Sequence, residues 1–167
     1  GGLVYAIGTI NLGGLQRLSE SDLMLDFQVN AMGAALAVQA ALPALKRGDD
    51  SSSVVFYSSV AAQQGFSLHA SMGLAKGAVN GLTLSLAAEL APRVRVNAIA
   101  PSLTQTPLAS GLLANEAITA GLVKQHPMQR LGVPEDIAAL TTFLLSPDSS
   151  WITGQILSVD GGRSTVS

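Results

Sequence analysis

Four short strand-like runs, set between long helical stretches, leave this chain few folds to choose from. The runs are residues 3–7, ended by Gly8; 54–57, rich in β-branched and aromatic side chains; 94–99, closed by Pro101; and 155–159, followed by Asp160-Gly161-Gly162. Apolar runs of this length bounded by Gly and Pro are the signature of buried strands. Between them the pattern predicts one helix from about 22 to 46 and a second over 70–90, stopped by Pro92. A third runs from Pro134 to about 145, with proline in the first helical position. Strand, helix and strand in strict alternation imply right-handed βαβ crossovers and a parallel sheet. The expectation is an α/β, three-layer arrangement forming one domain over residues 1–167.

Local signals refine the elements. Ser19 followed by Asp22 resembles a helix-capping pair. Leu23, Phe27, Met32, Leu36 and Leu42 make the first helix apolar on more than one face, so it should be buried on both sides or against a partner. Residues 47–53 read as a polar turn, 63–67 as a loop, and 107–125 as short helices or a lid.

Composition excludes several function classes. With 48% hydrophobic and 12% charged residues the chain is no disordered segment. A net charge of -2 without a basic run argues against nucleic acid as a partner. The absence of cysteine removes disulfides and thiolate metal sites and fits a cytoplasmic protein; no metal ligand set is expected. The longest apolar stretch, 31–45, is interrupted by Gln39 and Pro43 and is short for a bilayer, so no membrane span is expected. The chain opens with Gly1-Gly2 directly before a strand and without Met, which reads as a fragment, a processed product or a truncated gene product.

Several segments in order resemble the short-chain dehydrogenase/reductase family, including 3-oxoacyl carrier protein reductases. They are Phe27-Gln28-Val29-Asn30, Ser58-Ser59-Val60-Ala61, Leu74-Ala75-Lys76-Gly77-Ala78 and the strand from Arg95 to Pro101. Arg130-Leu131-Gly132 with Pro134-Glu135-Asp136-Ile137, then Ile152-Thr153-Gly154 and Val159-Asp160-Gly161-Gly162, complete the series. The resemblance covers essentially the whole chain. It implies the C-terminal portion of a Rossmann-type doubly wound sheet and an oxidoreductase using NAD or NADP on a small carbonyl or alcohol substrate. A homodimer or homotetramer built on the two Ala-rich helices is implied as well. The family's Gly-rich phosphate turn has no counterpart here, since Gly8, Gly13 and Gly14 are wrongly spaced and open no helix. The choice between the two cofactors is therefore not legible.

The resemblance also assigns a site. It implies that Lys76 holds the nicotinamide ribose, Ser59 bonds the substrate oxygen and Asn30 maintains a water relay. Gly8, Pro101, Thr104 and Thr106 fall where the family contacts its cofactor. The position four residues before Lys76, and thirteen after Ser59, belongs to a proton-donating tyrosine; here it is Met72. A thioether has no exchangeable proton. His69, one turn earlier, is a candidate substitute acid, with an ordinary loop histidine as the alternative. Lys76 could instead be a snorkelling surface lysine, Asn30 a packing amide and Ser59 a hydroxyl serving its own backbone. Tyr57 is expected to be packed in its strand. Ser102 stands where the family has glycine, and Tyr5-Ala6-Ile7-Gly8 where it has Asn-Asn-Ala-Gly, with Tyr5 expected to crowd the adenine-ribose side. The competing reading is an inactive relative or a truncated chain acting as a binding or scaffold subunit.

Overall fold

The computed structural model describes residues 1–47 and 52–166. Four parallel strands, β1 (Gly2–Tyr5), β2 (Ser52–Tyr57), β3 (Val94–Pro101) and β4 (Ile156–Val159), lie side by side in chain order. Helix α1 (Glu20–Phe27) runs through a π-helical turn (Gln28–Met32) into α2 (Gly33–Leu45), and α3 (Ala70–Leu90) joins β2 to β3. Between β3 and β4 come α4 (Ser110–Leu113), α5 (Glu116–Lys124) and α6 (Pro134–Leu145). The expected elements are present with small shifts. The first strand ends at Tyr5, which leaves Ala6 and Ile7 in the loop beyond it. Of the predicted polar turn at 47–53, residues 48–51 lie outside the described residues.

Alternation along the central strands builds the layers. Val54 and Phe56 of β2 and Val96 and Ala98 of β3 turn to one face, where they pack with Ala34 and Val38 of α2 and Val79 and Ala87 of α3. Val55 and Ile99 turn to the other face and meet Ile137 and Leu144 of α6. Both faces of these strands are thus covered, which explains runs that are apolar at every position rather than every second one. The layering corrects one expectation. The strands advance in a single direction, yet α1–α2 and α3 lie on one face and α6 on the other. The third crossover therefore has the opposite hand to the first two, against the usual rule. The reason lies in residues 102–133, which carry the chain over to the second face before α6 begins.

The start of α1 is capped as expected. The Ser19 Oγ accepts from the Asp22 N–H at 3.1 Å, and the Asp22 carboxylate accepts from the Ser19 N–H at 2.9 Å. Tyr5, by contrast, does not crowd a ligand side. Its ring packs with the α2–α3 core, and its hydroxyl donates to the Val29 carbonyl in the π turn at 2.7 Å. A Cβ at Gly33 would overlap that hydroxyl, so glycine is what lets the tyrosine reach across. The unbroken helix Glu20–Leu45, at 26 residues, is long and apolar enough by length and composition to cross a membrane, more than the 31–45 stretch suggested. It nevertheless buries Asp26 and Asn30 and lays Ala31, Ala34 and Val38 on the sheet core. Its other side leaves Met24, Leu25, Met32 and Leu36 exposed, and α3 leaves Leu74 and Leu84 exposed.

Candidate active site

Parallel strands end together, and the loops leaving those ends enclose a common space. Here they line a cavity of about 670 Å³. Its walls come from the loop after β1 (Gly8, Thr9), the segment after β2 (Ser59, Val60), the start of α3 (His69, Met72, Lys76) and the segment after β3 (Pro101, Thr104, Thr106). Leu108, Leu112, Ile118 and Leu122, from the short helices expected over 107–125, close one side. Of the nine site residues singled out from sequence, eight line this cavity. Asn30 stands just behind the lining, 1% exposed.

Lys76 occupies the middle of the constellation. Its Nζ donates to the Tyr57 carbonyl at 2.8 Å. Burial pushes its pKa from 10.5 down to about 8, partly opposed by the negative charge of Asp26. This is no snorkelling surface lysine. Asn30, held in the π turn, donates from Nδ2 to Thr9 Oγ1 and to the Asp26 carbonyl, each at 2.9 Å. Its Oδ1 is buried without a hydrogen-bond partner among the described residues. A Cβ on Gly8 would lie 2.8 Å from that Oδ1 and 3.6 Å from Lys76 Nζ. Gly8 is thus the residue that lets the amide oxygen and the ammonium face one space. A buried acceptor of this kind calls for a water or ligand donor.

Ser59 both caps and faces the cavity. Its Oγ accepts from the Ala61 N–H at 3.1 Å, opening the short 3₁₀ turn Val60–Ala62 and leaving its own proton free to donate. The neighbouring Ser58 is committed elsewhere, donating to Asn80 Oδ1 at 2.6 Å. Met72 is 5% exposed and lines the cavity. His69 sits at the cap position of α3, but its side chain bonds no helix N–H; its Nδ1 pairs with the Ser67 carbonyl at 2.7 Å and its ring tilts against Phe66. Tyr57 is packed as expected, its hydroxyl paired with Thr141 Oγ1 at 2.9 Å. Thr106 caps the 3₁₀ turn Pro107–Ala109, and Thr104 Oγ1 donates to the Ser102 carbonyl at 3.0 Å.

Three features escaped the sequence reading. Asp26, 1% exposed, accepts from Thr9 Oγ1 and from Ser71 Oγ, which ties α1 to the loop after β1 and to the start of α3 beside Lys76. Its signal was available: it lies four residues before Asn30, on the same helix face. Ser102 faces His126, with 2.8 Å between Oγ and Nε2, while the Nδ1 of that buried ring pairs with the Leu122 carbonyl. Arg163 reaches back from beyond β4 to lay its guanidinium over the Phe66 ring, 4.9 Å from the centroid.

Comparison with known proteins identifies the family and the fold. The model of a family described as enoyl-(acyl carrier protein) reductase matches residues 1–164. A short-chain dehydrogenase/reductase of Arabidopsis thaliana is 41% identical over 150 residues, covering 87% of this chain and 57% of its own length. A tropinone reductase-like protein of Erythroxylum coca is 40% identical over 148 residues, covering 89% of this chain and 56% of its own. Among solved structures, the ligand-free aldohexose dehydrogenase of Thermoplasma acidophilum superposes with a TM-score of 0.91 at 33% identity, over 98% of this chain and 67% of the other. A gluconate 5-dehydrogenase of Burkholderia cenocepacia, in complex with NADP and tartrate, gives 0.92 at 28% identity, over 98% and 64%. The chain thus spans little more than half the length of the first two relatives.

Proposed function

The chain belongs to the short-chain dehydrogenase/reductase family, and from that premise we propose that its cavity serves an NAD(P)-dependent oxidoreductase acting on a small carbonyl or alcohol. One observation carries the reading. Lys76 Nζ and the unpartnered Asn30 Oδ1 converge on the space that Gly8 keeps open, in the same cavity as the free hydroxyl proton of Ser59. A buried ammonium beside an unpaired acceptor is costly for packing and suited to binding a polar ligand. These residues fit the ribose end of a nicotinamide cofactor, with Gly8, Pro101, Thr104 and Thr106 beside it. The cofactor, when bound, supplies or takes up the hydride.

The chain's own residues divide the remaining work. Ser59 donates to the substrate oxygen and polarises it. Lys76 and Asn30 orient the ribose and hold the water through which a proton passes. At Met72 no proton can be given, so reduction through these residues is slow unless His69 supplies it. His69 lines the cavity, which keeps that substitution open to direct test. A homodimer or homotetramer in the cytoplasm is part of the same proposal, supported by the exposed apolar residues of α1–α2 and α3. Met72 also favours a second reading, in which the chain is a catalytically inactive relative or truncated form that binds without turning over.

Titration calorimetry of the 167-residue chain with NADH and NADPH is the first test. Micromolar binding that is lost in Lys76→Met supports the cofactor site; no heat with either nucleotide refutes it. Where binding is found, Met72→Tyr separates the two readings. A gain in carbonyl reduction marks an otherwise competent site that lacked only its acid. Turnover in the unaltered chain that disappears with His69→Ala assigns the acid to His69.

A further inference from the structure

The cavity is unbalanced in charge. Lys76, Arg163, His69 and His126 all line it, and no aspartate or glutamate does. Asp26 lies behind Lys76, outside the lining. Of the four, Arg163 has the least to do. Lys76 is bonded to Tyr57, and both imidazoles are bonded to backbone carbonyls. The guanidinium of Arg163 makes no hydrogen bond or ion pair to any other described residue; its contact is the face of Phe66. The acid three positions earlier does not answer it. Asp160 accepts from the N–H groups of Gly162 and Ser164 and from the Ser164 hydroxyl. A guanidinium stacked on a ring keeps its plane and its donors in place, ready for a two-pronged acceptor.

We propose that Arg163 is the anchor for a carboxylate on the substrate, whose apolar body lies along Leu108, Leu112, Ile118 and Leu122. The substrate class is therefore an oxo or hydroxy acid with a hydrocarbon or aromatic body. Three features point the same way. The lid side of the cavity is aliphatic, so it fits an apolar body rather than a sugar. The lining carries Lys76 and Arg163 and no carboxylate, so it fits an anion. The guanidinium of Arg163 rests over Phe66 and its donors are otherwise unused among the described residues, so they suit bidentate pairing with a carboxylate. The assignment rests on the proposed oxidoreductase reading only for the oxo or hydroxy group; capture of the carboxylate does not.

Octanoate and octanamide serve as probes, since they share a body and differ in charge. Calorimetry on the 167-residue chain is expected to show octanoate binding at least about tenfold more tightly than octanamide, the scale of one charge-assisted bond. Arg163→Met, which keeps an apolar stem against Phe66, should abolish that preference, and Arg163→Lys should retain part of it. Urea midpoints of both variants, expected unchanged for a partly exposed side chain, guard against unfolding. Equal binding of the two probes overturns the proposal. So does a preference that survives Arg163→Met but vanishes in Lys76→Met, which would place the anion at the lysine. A third refuting result is NADPH displacing octanoate while Arg163→Met weakens NADPH equally, since the guanidinium would then serve a nucleotide phosphate. None of these readouts requires turnover, so an inactive chain that still selects octanoate sinks the oxidoreductase reading and leaves this one standing.

Discussion

Replacing Lys76 by methionine should make the chain more stable at neutral pH. Burial lowers the Lys76 pKa from 10.5 to about 8, so at pH 7 the folded state carries an ammonium that the unfolded chain would solvate freely. At ~1.4 kcal/mol per pH unit the fall corresponds to about 3 kcal/mol of stability withheld while the lysine is charged. Methionine removes that charge and packs in the same space. It also forfeits the bond to the Tyr57 carbonyl and leaves that acceptor unpaired, at a cost of roughly 1–2 kcal/mol. The net expectation is a gain of roughly 1–2 kcal/mol at pH 7, read by urea unfolding. The pH dependence is the sharper test. Between about 8 and 10.5 the folded protein has released the proton and the unfolded chain still holds it, so stability rises with pH across that window. The unaltered chain should climb by about 3 kcal/mol, overtake the variant within that window and end roughly 1–2 kcal/mol the more stable near pH 10.5, the worth of the Tyr57 bond. Tyrosine ionisation is common to both proteins and drops out of their difference. A difference curve that stays flat from pH 7 to 10.5, or a variant much less stable at every pH, would refute the claim that Lys76 is held against its solvation.

Gly8→Ala should destabilise by roughly 1–3 kcal/mol in urea unfolding, because the new methyl lands 2.8 Å from Asn30 Oδ1 and 3.6 Å from Lys76 Nζ. Gly33→Ala should destabilise by a similar amount, roughly 1–3 kcal/mol, although alanine is the better helix former, since its methyl collides with the Tyr5 hydroxyl. Adding Tyr5→Val should recover most of that loss. Arg130 and the Val133 N–H hold the Asp136 carboxyl down from 3.8 to about 2. The stabilisation is present above pH 3.8 and is lost as pH falls through about 2. Asp136→Asn should therefore lower the melting temperature at pH 6 and flatten its decline below pH 4, as followed by circular dichroism.

What the sequence made legible was local. The Ser19–Asp22 cap, the proline at the start of α6 and the apolar runs of β2 and β3 are each decided within a few residues, and each is present. The family frame located Gly8, Ser59, Met72 and Lys76, which line one cavity although 68 positions separate the first from the last. Contacts between distant side chains were not legible. Asp26 meets Ser71 across 45 positions, and Ser102 meets His126 across 24. Neither pair leaves a periodic trace. Tyr5 was misjudged because a strand residue can face either layer. Its direction depends on the π turn and on Gly33, and no pattern in β1 reports either. The hand of the third crossover was misjudged for a like reason, since it depends on the path of the irregular segment 102–133.

The distribution of cost across the site bears on which proposed reading is stronger. Lys76 holds an ammonium where burial opposes it, Asp26 is a carboxylate 1% exposed, and Asn30 keeps an oxygen buried without a partner. Each keeps a charged or polar group out of water at a cost that an apolar wall position does not carry. Met72, by contrast, is a side chain that the apolar wall readily accommodates. A packing remnant would be altered first where retention is most expensive, yet Lys76, Asp26 and Asn30 remain, while Met72 stands where the family resemblance implies a proton donor. That pattern is what a binding site requires. A site that binds a polar ligand against Gly8, Asn30 and Lys76 would need these groups whether or not a proton is then delivered, so the nucleotide titration has to precede any assay of turnover.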